Sequence, residues 1–190
     1  MLVARTHIRL ALTAVLLTGA LAPASVSASG PQAAVHCAGA SATAKKASRR
    51  QLVRATLCLL NAQRRKHGLH RLRLSKRLSR AALRHSRDMV RRDYFAHTSR
   101  SGASFVDRIR RTGYLSGAFS WMVGENLAWG SGSRSSPGET VQAWMHSPGH
   151  RENILTGRFV HIGIGIVSGA PADVGGLPAA TYTTDFGFKR

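Results

Sequence analysis

Over residues 50–67, apolar side chains recur at helical spacing: Leu52, Val53, Leu57, Leu59 and Leu60. The period predicts a helix with one buried stripe and a strongly basic outer face, closed by Gly68. Residues 75–93 repeat the pattern with Leu78, Ala82, His85 and Met89, spaced four, three and four apart. This predicts a second amphipathic helix, on which His85 reads as a hydrogen-bonded core residue before a ligand. Residues 94–102, YFAHTSRSG, have loop composition and put His97 on an irregular segment. Ser104 then caps a short helix carrying Phe105, Val106 and Ile109, which Gly113 ends.

The second half changes period. Residues 121–130 form a short apolar segment interrupted by Glu125 and Asn126. A carboxylate in such a segment is costly to bury unless it is paired, so Glu125 calls for a partner, and a histidine or a set of backbone N–H groups would serve. Residues 131–135 read as a polar linker. Ser136-Pro137-Gly138-Glu139 is a helix start with a capping box, which gives Glu139 a structural role, and the helix runs to about His146. Ser147-Pro148 opens another short helix that carries His150, Asn153 and Ile154; Glu152 points away from His150, and both Glu152 and His146 are expected to be solvated. Residues 161–167 alternate Ile162, Ile164 and Ile166 with Gly163 and Gly165. That is a strand packed on one face, with room for a close neighbour on the other. Residues 168–178 are a Gly and Pro loop, and residues 181–188 alternate Tyr182, Thr184, Phe186 and Phe188 on one side, a second strand expected antiparallel to the first. Helices first and strands later, with no internal repeat, indicate an α+β layered domain.

The N-terminus reads as an export signal: Arg5 and Arg9, an apolar run over residues 10–21, and small residues Val26-Ser27-Ala28 at the cleavage position. The run is shorter than the roughly 20 residues of a membrane span, and no transmembrane segment is expected elsewhere. Cleavage after residue 28 would leave one domain of ordinary size, with residues 29–48 a flexible leader and residues 49–190 the folded part. In an oxidising compartment the two cysteines, Cys37 and Cys58, are expected to pair.

With 28 Lys and Arg against 8 Asp and Glu, the net charge is +20, falling to +18 once Arg5 and Arg9 are removed. Such a surface attracts anionic polymers or lipid head groups. No basic motif with interleaved aromatics marks a dedicated nucleic-acid site. All three glutamates, Glu125, Glu139 and Glu152, fall within residues 124–155 beside His146 and His150, the densest acid/base chemistry in the chain. His97, Glu125 and His150 could bind a divalent metal such as zinc, although no HExxH helix is present. Ser99, Ser101 or Ser147 could serve a serine hydrolase, but no G-x-S-x-G elbow supports one. Glu125 and Asp185 are the pair available to a glycosidase, which needs two carboxylates facing across a groove.

The ordered runs FAHTSRSG, GENLAWG, WMHSPGHRENIL, HIGIGIV and TTDFG resemble the CAP superfamily of cysteine-rich secretory, antigen 5 and pathogenesis-related proteins, in its compact bacterial secreted branch. The resemblance covers residues 53–188. It implies an α-β-α sandwich with a central antiparallel sheet flanked by helices, and an open cleft lined by two histidines and two acids that sometimes hold a divalent metal. His97, Glu125 and His150 match three of the four; Ser147 stands where the other acid is expected. The function this implies is a secreted, monomeric binding module that engages an anionic or amphiphilic ligand at the cell envelope. The alternative is a hydrolase using His97, Glu125 and His150.

Overall fold

A computed structural model describes residues 36–190. The expected signal peptide and residues 29–35 of the expected leader lie outside the described residues. The elements, in order, are α1 (Arg49–Lys66), β1 (Arg73–Leu74), α2 (Lys76–Arg91), α3 (Phe105–Arg111), β2 (Trp121–Ser131), a 3-10 turn (Gly132–Ser135), α4 (Pro137–His146), α5 (Pro148–Leu155), β3 (His161–Ser168) and β4 (Ala179–Lys189). The sheet order is β1-β3-β4-β2. Its three long strands are antiparallel, and the two-residue β1 adds a parallel pairing at one edge.

Alternation along β3 sets the layers. Ile162, Ile164 and Ile166 point to one face, where they form a core with Leu52 and Leu60 of α1, Val141 and Trp144 of α4, and Ile154 of α5. Gly163 and Gly165 point to the other face, and α2 lies directly on them. A Cβ at Gly163 would sit 2.1 Å from the main-chain carbon of Leu78, and one at Gly165 would sit 2.3 Å from that of Ala82. The missing side chains let the helix backbone reach the sheet. Leu78 and Ala81 of α2 then pack with Ile109 of α3, Tyr114 and Leu115. The result is the expected α-β-α sandwich.

Four details differ from the sequence reading. The segment 121–130 is an eleven-residue edge strand, because β4 pairs with it along its whole length. Residues 36–48, expected as part of a flexible leader, are docked: Cys37 is bonded to Cys58, Gly138 N–H donates to Ala40 O, and Ala42, Ala44 and Ala47 pack on the larger core. The basic face of α1 is broken by Arg64, which is fully buried and donates to the carbonyls of His70, Ile154, Thr156 and Phe159. At the start of α4, Ser136 accepts from the Glu139 N–H but Glu139 does not return the bond, so the capping box is half formed. Among the described residues no helix is long and apolar enough to cross a membrane.

Candidate functional site

The site is assembled around Glu125 on the edge strand β2. Alternation sends the Glu125 side chain toward the α2–α3 layer and Asn126 toward α5. Glu125 Oε1 lies 2.8 Å from His97 Nδ1, and Oε2 accepts from Arg108 of α3 at 2.6 Å. The carboxylate side chain is 1 % exposed, Arg108 is 9 % exposed and His97 is 55 % exposed. Glu125 is thus a buried acid held between a buried guanidinium and an imidazole that reaches solvent. Arg108 does more than neutralise it. The same guanidinium donates to His97 O, Ser99 Oγ and Ala103 O, and so fixes the loop that presents His97.

On the other side, Ser147 and Pro148 start α5, but the serine hydroxyl caps no backbone N–H. It lies 2.9 Å from His150 Nδ1 instead. Asn126 Nδ2 donates to His150 O, and Asn153 Nδ2 donates to Glu125 O and Asn126 Oδ1, which ties α5 to β2. Burial keeps His150 below the ordinary imidazole value, and the nearby His97 pushes it in the same direction. His97, Glu125, Ser147 and His150 therefore belong to one bonded neighbourhood. His146 and Glu152 are exposed and outside it. His85 is buried against Ala96 O at 3.0 Å, in the core role expected of it.

Glu125 and Asp185 face each other in the β2–β4 register. They do not form the open pair that a glycosidase needs. Asp185 is buried next to Glu125, and its Oδ1 has no hydrogen-bond partner among the described residues. Burial, reinforced by the Glu125 charge, pushes the Asp185 carboxyl well above the ordinary range. The proton on Asp185 is thereby favoured, and the Arg108 guanidinium lies against the other carboxylate of the pair. The sequence does not mark Arg108, and it offers Asp185 only as the second carboxylate of a glycosidase pair with Glu125. Arg108 is one basic residue in an arginine-rich chain, and the role of Asp185 depends on strand register.

Zinc sites use three or four protein donors. Here both Glu125 oxygens are engaged and Ser147 offers a hydroxyl where an acid was expected. Among the described residues, no three His, Cys, Asp or Glu side chains are grouped to share an ion. The donors left over are the two imidazole Nε2 atoms, which fall short of a tight zinc site.

Next to the cluster lies an open cavity of about 360 Å³, lined by Arg84, Arg87, Arg91, Arg92, Arg108 and Arg111 with Ser99, Ser101, His85 and Asp88. It shares Arg108 and Ser99 with the His97–Glu125 cluster but is not lined by His97, Glu125, Ser147 or His150 themselves. Asp88 is its only acid. That carboxylate already accepts from Tyr94 Oη at 2.6 Å and lies 3.8 Å from both Arg91 and Arg92.

Known proteins are similar to this chain in sequence or in fold. Uncharacterized protein YkwD of Bacillus subtilis is 41 % identical over 109 residues, which cover 57 % of this chain and 40 % of YkwD. Uncharacterized membrane protein YlbC of the same organism is 33 % identical over 110 residues, covering 58 % of this chain and 30 % of YlbC. The chain thus spans less than half the length of either relative. Among solved structures, an extracellular protein containing an SCP domain from Bacillus anthracis superposes with a TM-score of 0.57 at 26 % identity, covering 74 % of this chain and 43 % of that one. An outer surface protein of Borrelia burgdorferi gives a TM-score of 0.61 at 19 % identity, covering 76 % of this chain and 97 % of that one, a likeness of fold. The family model for cysteine-rich secretory proteins matches residues 57–184, more than half of the sequence, and the chain belongs to that CAP family.

Proposed function

We propose that this domain is an exported binding module that takes up an anionic polymer or amphiphile of the cell envelope. The observation that carries the reading is the cavity walled by six arginines with one acid among them. Guanidinium groups recognise phosphate and carboxylate oxygens in a planar, two-point fashion, and the hydroxyls of Ser99 and Ser101 supply further donors. The His97–Glu125–Arg108 cluster forms the fixed end of this surface, because Arg108 is already committed to Glu125 and the loop. The test is equilibrium binding of poly(glycerol phosphate) across a salt series. Affinity should fall with salt. It should also fall about tenfold when Arg84, Arg87 and Arg111 are changed to alanine together, the loss of a few charge-assisted bonds. Unchanged affinity in that variant would remove the cavity as the binding site.

A hydrolase is the second reading, favoured by one feature: Glu125 fixes His97 through Nδ1 on a side chain that reaches solvent, the posture of an oriented general base. Turnover of peptide, ester or phosphodiester substrates that disappears in His97→Ala would support it, and turnover surviving that change would discard it. Zinc is suggested by the residue types and by the resemblance. Calorimetric titration with His97→Ala and His150→Ala controls addresses it directly, and the short donor set leads us to expect no site-dependent heat.

A further inference from the structure

We propose that the corner of the sheet where β2 begins and β4 ends is a wedge that docks on an anionic lipid surface. This reading is independent of the arginine cavity. Three large apolar side chains emerge there together: Phe119 is 82 % exposed, Trp121 43 % and Met122 36 %. They do not sit on a floppy tip. Phe119 N–H and Ser120 N–H donate to Arg190 O at 3.0 and 3.3 Å, and Arg190 N–H donates to Ser120 O at 2.9 Å, which extends the β2–β4 ladder to the corner. The apolar groups are held outward by a paired backbone.

Each face of the corner adds a cation. Trp121 is in register with Lys189, whose ammonium lies over the Tyr114 ring at 5.6 Å. Met122 is in register with Phe188, and the Arg158 guanidinium lies over that ring at 4.8 Å on the opposite face. The result is an apolar edge with one positive charge on either side. No acidic residue occurs in the contributing segments 114–124, 157–162 or 186–190.

Charge decides the occupant. A second copy would bring Lys189 and Arg158 against their own kind on a chain of net charge +20. An anionic bilayer offers what this corner lacks: an apolar boundary that suits Trp and Phe, and negative head groups for the flanking cations. A basic residue near such a surface is worth about a fivefold gain in affinity.

The experiment uses residues 35–190, the compact unit that contains the disulfide and both core clusters. Its partitioning is measured by flotation with phosphatidylcholine vesicles, with and without phosphatidylglycerol, and melting curves confirm that each surface variant is folded. The expected result is binding that requires phosphatidylglycerol and weakens about tenfold in Phe119→Ser/Trp121→Ser, from lost apolar burial. It should weaken by at least as much in Lys189→Glu/Arg158→Glu, and quenching by brominated lipid should vanish in Trp121→Phe. The proposal is overturned if Phe119→Ser/Trp121→Ser binds as well as the parent. It is equally overturned if only the Arg84, Arg87 and Arg111 substitutions reduce binding, if no vesicle binds at low salt, or if sedimentation finds a dimer that the wedge substitutions dissociate.

Discussion

Replacing Glu125 and Asp185 with their amides, singly and together, tests the charge state of the buried pair. Arg108 is 9 % exposed and, among the described residues, is ion-paired with the Glu125 carboxylate alone. Glu125→Gln leaves that guanidinium buried without a counter-charge, a change that typically costs about 3–5 kcal/mol. The low end is expected, about 3 kcal/mol, because Asp185 can then release its proton and restore one negative charge to the cluster. Asp185→Asn should behave differently. A protonated carboxyl can donate one hydrogen bond to Glu125, and the Asn amide can donate the same bond, so the cost should stay within about 1 kcal/mol. The double variant removes both carboxylates of the buried pair and should exceed the sum of the single costs by more than about 1 kcal/mol. Urea denaturation at neutral pH provides all four stabilities. If Asp185→Asn costs as much as Glu125→Gln, or if the double variant is additive, Asp185 is not the neutral member.

The same pair predicts a pH dependence. Because the folded Asp185 carboxyl is raised above its ordinary 3.8, its favourable contribution is fully present below that value and is lost as pH climbs toward the folded value. The parent should therefore lose stability relative to Asp185→Asn as pH rises from about 4 in denaturant titrations; a flat difference would contradict the assignment. His150 works in the other direction: its lowered folded value gives stability that is present above the ordinary 6.5 and declines on acidification, a decline that His150→Gln should reduce in the same titrations. Gly163→Ala should cost about 3 kcal/mol or prevent folding, since its Cβ would overlap the α2 backbone, whereas Gly149→Ala, with open space around it, should be nearly silent in a melting experiment. Reducing the Cys37–Cys58 bond, which spans 21 residues, should lower stability by about 3 kcal/mol in denaturation with and without reductant.

Much of the fold was readable because period and packing agree. The stripe of α1 and the Ile/Gly alternation of β3 each state which side is buried, and the α2 backbone does occupy the space left by Gly163 and Gly165. The strand β2 was not readable as a strand, because Gly124, Glu125, Asn126 and Gly130 interrupt the alternation and weaken intrinsic strand preference. Its conformation is decided by pairing with β4, a contact remote in sequence. His97 on a loop and His150 on a helix start are candidates from residue chemistry alone, and the resemblance adds the expectation that they share a cleft with Glu125. Arg64 and Arg108 were invisible for a different reason. Burial selects them from 28 basic residues, and both are retained because main-chain carbonyls or Glu125 satisfy their donors.

The serine at position 147 gives the two site histidines different roles. His97 is held by an ionised carboxylate, while His150 is held by a neutral hydroxyl at 2.9 Å in a half-buried position. An acid at 147 would favour a charged His150 and add a second negative group to the cluster; the hydroxyl does neither, and burial holds His150 below the ordinary imidazole value. The Glu125 carboxylate of the cluster is already paired with Arg108. An approaching anion consequently meets no uncompensated negative charge at this end of the arginine-lined surface, whereas a divalent cation meets two imidazoles and no spare carboxylate. Under the proposed function, the serine that leaves a divalent cation one ligand short also spares the neighbouring surface a second negative charge.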